Sequence, residues 1–443
     1  MAEIFPFAAY RYDPARVSLD RVLTQPYDKI TSEMQGRYYE LSPFNLIAVE
    51  KGKSFPGDTP ADDVYTRAAA KLDEWISARV LARESAPAIY AYFQDYQVPG
   101  TGRRATRKGF IALGRVEDYA AGVVFRHEQT LAGPKADRLE LLRRTRTHTG
   151  QLFMLYSDPA RRIDALLNET ARTPAPVEVR DEFAVLHRLW AVTDPALIVR
   201  FVAETADKKL IIADGHHRYE TALAYRDECR RAGAASPDAP HEKVMMTFIN
   251  THAEGLTILP THRAVSNLSA FDFAAFRERV AALFDWYSYP FTGGEERAAA
   301  LEDFRRDMIR RGRDRRAIGI YAGGGAFYLF LLRRDVDLAA LLPDLSPAQR
   351  SLDVVLLHRM VLEKGLGITA DAVVKEQHIT YERELDAALA AVDAGRAQLA
   401  CLLNPVRVEQ VVEIALAGDV LPQKSTDFYP KLLSGMTIYR LDG

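Results

Sequence analysis

Residues 210–219 read Leu-Ile-Ile-Ala-Asp-Gly-His-His-Arg-Tyr, so an apolar run ends in Asp214 and Gly215 and meets His216, His217 and Arg218 at once. The apolar residues predict a short buried strand, and the chain from about residue 218 predicts a helix. One strand-to-helix turn therefore gathers a carboxylate, two imidazoles and a guanidinium. Gly215 allows a tight turn or close approach of a ligand to the backbone. Amides at a helix N-terminus point outward where the macrodipole favours anions, and Arg218 offers a planar fork matched to phosphate oxygens. The chemistry expected of such a turn is phosphate binding, with Asp214, His216 and His217 placed for catalysis and Gly215 and Arg218 for holding the anion. A metal reading stays open, since His216 and Glu220 are four apart with Asp214 nearby, although Arg218 would set a fixed charge beside the cation.

Other segments carry chemistry-bearing residues. Arg126-His127-Glu128-Gln129-Thr130 follows the apolar run 122–125, and His127 with Glu128 suits acid–base work or, equally, a solvated strand end. His262 and Arg263 repeat the His-Arg pairing after another strand, which suits a polyanion or local packing. Lys424, Ser425 and Thr426 lie in a loop rich in Pro and aromatics. A lysine beside two hydroxyls can hold phosphate, but the GxxxxGK frame of a P-loop occurs nowhere in the chain. Asp28 follows Pro26 and Tyr27 and reads as a site carboxylate or a turn residue. No metal ligand set is expected.

The segment Ala-Asp-Gly-His-His-Arg-Tyr-Glu-Thr-Ala-Leu resembles a motif of the bacterial and archaeal family DUF 1015, a domain of unknown function. Pro26-Tyr27-Asp28, residues 126–130, Leu259-Pro260-Thr261-His262-Arg263 and residues 422–431 carry the same resemblance, which covers essentially the whole chain. Asp214–Arg218 is also similar to the phosphate-binding motif of the ParB/sulfiredoxin-like superfamily, over residues 188–263. That group includes nucleotide-binding partition proteins, ATP-using sulfiredoxins and free-serine kinases. The resemblance implies a nucleotide phosphate site at Asp214, His216, His217 and Arg218. It implies ADP or ATP with Mg2+ as cofactor, and a nucleotide-dependent phosphotransferase acting on a small hydroxylated metabolite such as serine. His127, Glu128 or Asp28 would supply a base. The alternatives are a ParB-like nucleotide-binding regulator that binds DNA and a metal-dependent hydrolase built on the two histidines and Asp214.

The elements that must position these residues alternate between strand and helix throughout. Strands are expected at 88–98 and 108–116, joined as a hairpin with Arg103, Arg104, Arg107 and Lys108 at its tip, and at 151–156, 209–213, 244–250, 317–321, 326–332 and 397–403. Helices are expected at 61–81, 159–170, 194–205, 271–284, 347–364, 381–394 and 406–417, and Arg305–Arg316 is expected as an exposed helix face. The fold class is α/β, in the broad sense that includes α+β: mixed sheets with flanking helices and a ParB/sulfiredoxin-like element in the middle. The prolines at 174 and 176 suggest a linker, giving an N-terminal region 1–172, a core 177–268 and a C-terminal region 269–443.

With 443 residues, 48% hydrophobic and 27% charged, the chain is long enough for two or three domains and has an ordinary globular composition. Its net charge of −2 supplies no global field toward nucleic acid or anionic lipid, so neither nucleic acid nor membrane is an expected partner. Cys229 and Cys401 are the only cysteines, which excludes a disulfide framework and a four-thiolate zinc site. The opening residues lack the basic start and apolar stretch of a secretory signal, so the expected compartment is the cytoplasm. The expected partners are a nucleotide and a small substrate.

Overall fold

A computed structural model describes residues 1–128, 132–234 and 236–442, without the side chains of 132–134. The chain forms two compact units. The first comprises Met1–Arg126, Thr130–Thr257 and Phe428–Gly443; the second comprises His127–Gln129 and Ile258–Asp427. The proline-marked segment 173–176 lies within the first unit, where the Thr173 carbonyl accepts the Trp190 indole N–H at 3.0 Å. The expected core 177–268 likewise runs from one unit into the other. The mixed α/β character follows the expected class. Among the described residues no helix is long and apolar enough to cross a membrane.

The first unit is built on a nine-stranded mixed sheet. Its strands are β1 (Ile4–Phe5), β2 (Ile89–Gln97), β3 (Arg104–Arg115), β4 (Val124–Phe125), β5 (Leu152–Tyr156), β6 (Val177–Arg180), β7 (Leu186–Val192), β8 (Leu210–Asp214) and β9 (Lys243–Asn250). Their order across the sheet is β4-β8-β5-β9-β3-β2-β7-β6, with β1 also paired to β3. β9 runs parallel to β5, setting Met246 opposite Leu152, and β8 runs antiparallel to β5, setting Ile211 opposite Leu155. Alternation divides this sheet into two unlike faces. Phe93, Phe110, Met154, Ile212 and Phe248 form a dry core with Ile163 and Leu167 of α1 (Arg162–Thr170) and Phe201 of α2 (Pro195–Thr205).

The opposite face is polar at its centre, where Gln94 sits opposite both Arg107 and His187. Arg107 is fully buried on this face. That corrects its expected place at the hairpin tip, and the reason is strand parity. β3 is covered on both faces, so its charged residues need not alternate with solvent. The guanidinium donates to Gln94 Oε1 from Nε at 2.9 Å, and Nη2 donates to the same oxygen and to the Pro430 carbonyl. It also lies over the Phe153 ring, 4.6 Å from its centre. Beside it, Tyr92 and Asp181 flank the buried His187 imidazole at 2.6 and 3.3 Å. The segment 430–434 crosses this same face, tied by Lys431 O to Gln94 and by Leu433 O to Gln151.

The second unit holds a six-stranded antiparallel sheet: β10 (His262–Val265), β11 (Phe284–Pro290), β12 (Ala317–Tyr321), β13 (Ala326–Leu332), β14 (Ile379–Glu382) and β15 (Leu399–Leu403). Its order is β11-β13-β12-β15-β10-β14. Ile318, Ile320, Phe330 and Cys401 enter one core, while Phe327, Leu329, Leu331 and Leu402 enter another with Phe304 and Met308 of the helix Gly294–Arg311. Burial on both faces explains the unbroken apolar runs of β12, β13 and β15. The expected helix 271–284 stops at Val280, because Phe284 opens β11. The expected helix 347–364 is interrupted at Leu352, whose backbone is extended, and ends in a π-helical segment, Leu357–Gly365. The expected helix 381–394 divides into β14 and the helix Leu385–Asp393.

Candidate functional site: the turn after β8

Gly215 lies at φ 95°, in the left-handed region, and caps α3 (His216–Arg231). The helix thus begins at His216, two residues earlier than the sequence pattern suggests, and both imidazoles occupy its first turn. His216 is buried and His217 half-buried. A Cβ at position 215 would stand 3.0 Å from Leu152 Cδ2 and 3.1 Å from Arg218 Nη2, so a side chain there would press both neighbours aside by a few tenths of an ångström.

Asp214 closes β8 and lies opposite Phe153 on the polar face of the sheet. Its Oδ2 accepts from Lys431 Nζ at 2.9 Å. Burial would raise the Asp214 carboxyl, but Lys431, Lys29 and Arg218 outweigh it and hold the group far below the usual carboxylate range. Arg107, lowered to about 10 by its burial, also feels the Asp214 charge. Arg218 Nη1 donates to the Gln151 carbonyl at 2.5 Å, while its buried Nε has no hydrogen-bond partner among the described residues. Lys29, Arg107, Arg218 and Lys431 therefore act on Asp214, with Asp28 as a second carboxylate 3.7 Å from Lys29. A cavity of about 50 Å3 beside Arg218, bordered by Glu50, Arg138, Thr149, Gly150 and Thr221, has room for a few waters. Glu50 is committed to Thr149 and Ser434 hydroxyls. Arg138 lies 4.3 Å from the centre of the Tyr27 ring, and burial, reinforced by Asp28, pushes the Tyr27 hydroxyl well up.

This arrangement suits an anion better than a cation. Asp214 is already paired to an ammonium, and Glu220 faces Lys135 at 2.9 Å and Arg126 at 3.7 Å. Among the described residues no group of three His, Cys, Asp or Glu side chains is arranged to hold a metal. The hydrolase built on Asp214, His216 and His217 finds no support in these contacts.

The second unit brings together the remaining candidates, although they are far apart in sequence. His127 is buried; its Nε2 lies 2.9 Å from Thr426 Oγ1, and its carbonyl accepts from Leu421 N at 2.8 Å. Glu128 Oε1 accepts from Lys424 N at 2.9 Å. Gln129 and Thr130 of the same motif lie outside the described residues. Arg263 is fully buried on β10, donating to the Thr261 carbonyl from Nη1 and to the Gln423 and Lys424 carbonyls from Nη2 at 3.4 and 3.2 Å. Ser425 Oγ donates to Pro422 O at 2.5 Å. His262 Nδ1 accepts from Leu403 N at 3.2 Å, which leaves its proton on Nε2, and burial with Arg263 lowers it to about 4. His262 and Arg263 thus have structural partners. Lys424 is exposed, with its backbone at φ 55°. A non-glycine residue there is strained and is held by Glu128 and Arg263 on either side of its peptide.

Lys29, Arg107 and Lys431 are the charged residues around Asp214 that the sequence pattern did not single out for the turn. Lys29 adjoins Asp28, and Lys431 ends the segment 422–431, so both lay within view of motifs whose chemistry was read elsewhere.

A comparison with curated proteins finds no match. Among solved structures, a conserved hypothetical protein from Pyrococcus furiosus is 12% identical, covering 72% of this chain and 93% of its own, with a TM-score of 0.34. A free serine kinase in complex with AMP is 12% identical over 71% of this chain and 89% of its own, at a TM-score of 0.35. SbnI from Staphylococcus aureus, truncated at its C-terminus, is 11% identical over 73% and 85%, at 0.34. Similarity at these TM-scores does not establish a shared fold. The family described as protein of unknown function (DUF1015) matches residues 4–355, most of the sequence that carries the turn and its surroundings, and the chain belongs to that family.

Proposed function

We propose that the turn after β8 binds a phosphate group and that the protein is a nucleotide-dependent phosphotransferase acting on a small hydroxylated metabolite such as serine. The observation that supports this reading is the positive charge around Asp214 at the start of α3: Lys431 binds it at 2.9 Å, and Lys29, Arg218 and Arg107 lie close enough to act on it. Preorganised cations and amides are what phosphoryl transfer asks of a protein, because its transition state spreads negative charge over oxygens. In the reaction, the substrate hydroxyl oxygen attacks the terminal phosphorus of ADP or ATP, and the bond to the leaving AMP or ADP oxygen breaks. The hydroxyl proton passes to a base, for which His216, His217 and Asp28 are the candidates within the first unit. Asp214, held strongly acidic, is a poor base; its part is to orient Lys431 and temper the cationic cluster. Mg2+ would arrive on the nucleotide, neutralising charge between phosphate oxygens, since Asp214 is committed to Lys431.

The test is to incubate the full chain with L-serine, Mg2+ and either ADP or ATP, following products by 31P NMR. Phosphoserine together with AMP or ADP is expected. Arg218→Ala and Lys431→Ala should each lower kcat/KM by about 10²–10³, the size of losing one preorganised donor. Absence of nucleotide turnover with serine and with a panel of other hydroxylated metabolites would remove the proposal.

A further inference from the structure

The first unit also holds a cavity far larger than the one beside Arg218, away from the Asp214 turn. It is an open cleft of about 1070 Å3, and its border includes Arg103 and Arg104 of the β2–β3 hairpin, Lys108, Arg161 and Arg180. Strand directions put it at the other end of the sheet. The cleft is also bordered by Ala253, Glu254 and Gly255, which follow the C-terminal end of β9, and β9 is parallel to β5. β8 is antiparallel to β5, so its C-terminal end, with Asp214, points the opposite way.

The charge of this cleft is unbalanced. Five cationic side chains face three carboxylates, Asp95, Asp164 and Glu254. Each carboxylate already has a partner. Asp95 binds Arg188 and the Thr106 hydroxyl, both at 2.6 Å. Asp164 accepts from Asn250 Nδ2 at 2.6 Å, and Glu254 lies 3.7 Å from Arg161. Arg103, Arg104, Lys108 and Arg180 make no ion pair among the described residues. Lys108 reaches Asn168 Oδ1 at 2.7 Å, Arg103 reaches Thr257 Oγ1 at 3.5 Å and Arg180 reaches the Ala184 carbonyl at 2.8 Å, all neutral acceptors. Like charges gathered around a concave, low-dielectric wall focus a positive field into it.

We infer that this cleft is a second ligand site, for a small molecule carrying several oxyanion groups, such as a polyphosphate ester. The volume matches a ligand of metabolite size or larger. The polar border argues against an apolar ligand, and the spread of cations over the hairpin and the Arg180 loop favours two or more anionic groups over one. Phe183 borders the cleft and is 54% exposed, offering a flat apolar surface beside the charges.

The test uses Phe183→Trp in the full chain as a local fluorescent reporter, with sodium tripolyphosphate as the probe and calorimetry on the same samples. Saturable quenching is expected. Arg104→Glu with Arg180→Glu should weaken it at least tenfold, while Arg104→Lys with Arg180→Lys retains it and Arg218→Ala leaves it unchanged. Both arginines are exposed, so their replacement leaves the core untouched. Two results overturn the inference: no calorimetric binding that the charge reversal removes, or quenching that Arg218→Ala abolishes and the charge reversal does not. The second would assign the probe to the Asp214 turn instead.

Discussion

Asp214 owes its charge to its neighbours. Burial alone would favour the neutral acid, and Lys431, Lys29 and Arg218 reverse that preference. A carboxyl whose folded pKa is depressed contributes stability above its unfolded value, near 3.8, and that contribution is lost as the pH falls through the window below it. Replacing Lys431 with Met removes the strongest opposing influence and leaves only Lys29 and Arg218 to counter burial, so Asp214 should take up its proton at higher pH. The acid-unfolding midpoint, followed by circular dichroism from pH 6 to pH 2, is therefore expected to move upward in Lys431→Met. An unmoved midpoint would show that the ammonium does not support the carboxylate. Arg107 poses a related case, being fully buried with Nη1 unpartnered. Its replacement by Met strands Gln94 Oε1 and the Pro430 carbonyl, and should cost about 2–3 kcal/mol in urea unfolding, the penalty for two buried acceptors left unsatisfied.

At the scale of elements, the turn between β8 and α3 rests on Gly215. Its φ of 95° is strained for an L side chain, and a Cβ would press on Leu152. Gly215→Ala should lose about 1–2 kcal/mol from the left-handed backbone, read as a fall in thermal midpoint. On the proposed phosphate reading it should also lose affinity for inorganic phosphate, because the added Cβ presses on Arg218 at 3.1 Å; calorimetry with inorganic phosphate separates the two effects. The turn was legible because its residues are contiguous and Gly marks the change of period. β12 and β13 were equally legible, since Ala317–Tyr321 and Ala326–Leu332 are unbroken apolar runs joined by Gly323–Gly325, all three at positive φ. The interruption at Leu352 was not. No Gly or Pro stands there, the apolar spacing continues through it, and only tertiary packing decides that the chain extends. β11 was missed for a similar reason, since its aromatics continue the periodicity of the preceding helix while five of its seven residues are exposed.

At the scale of the molecule, the first unit is discontinuous. The chain leaves it after Thr257, builds the second unit, and returns for Phe428–Gly443. This return explains why the surroundings of Asp214 were only half visible in the sequence. Arg218 is four residues from Asp214, whereas Lys431 reaches it across 217 positions and Arg107 through the register of four strands. Period-two alternation on β3 tells which residues share a face but not which face is the interior, so Arg107 read as a hairpin-tip cation. The returning segment supplies the Lys431 ammonium, carbonyls for Arg107, Gln94 and Gln151, and the Ser434 hydroxyl for Glu50. Buried polar groups deprived of such partners carry their full desolvation cost. A chain ending at Asp427 should therefore lose the near-UV circular dichroism of the first unit's aromatics and become protease-sensitive within residues 1–257. Adding a peptide of residues 428–443 should restore both signals, and should do so less well when the peptide carries Lys431→Ala. A truncated chain that keeps its near-UV signal unaided would mean that the polar face of the sheet does not depend on the return.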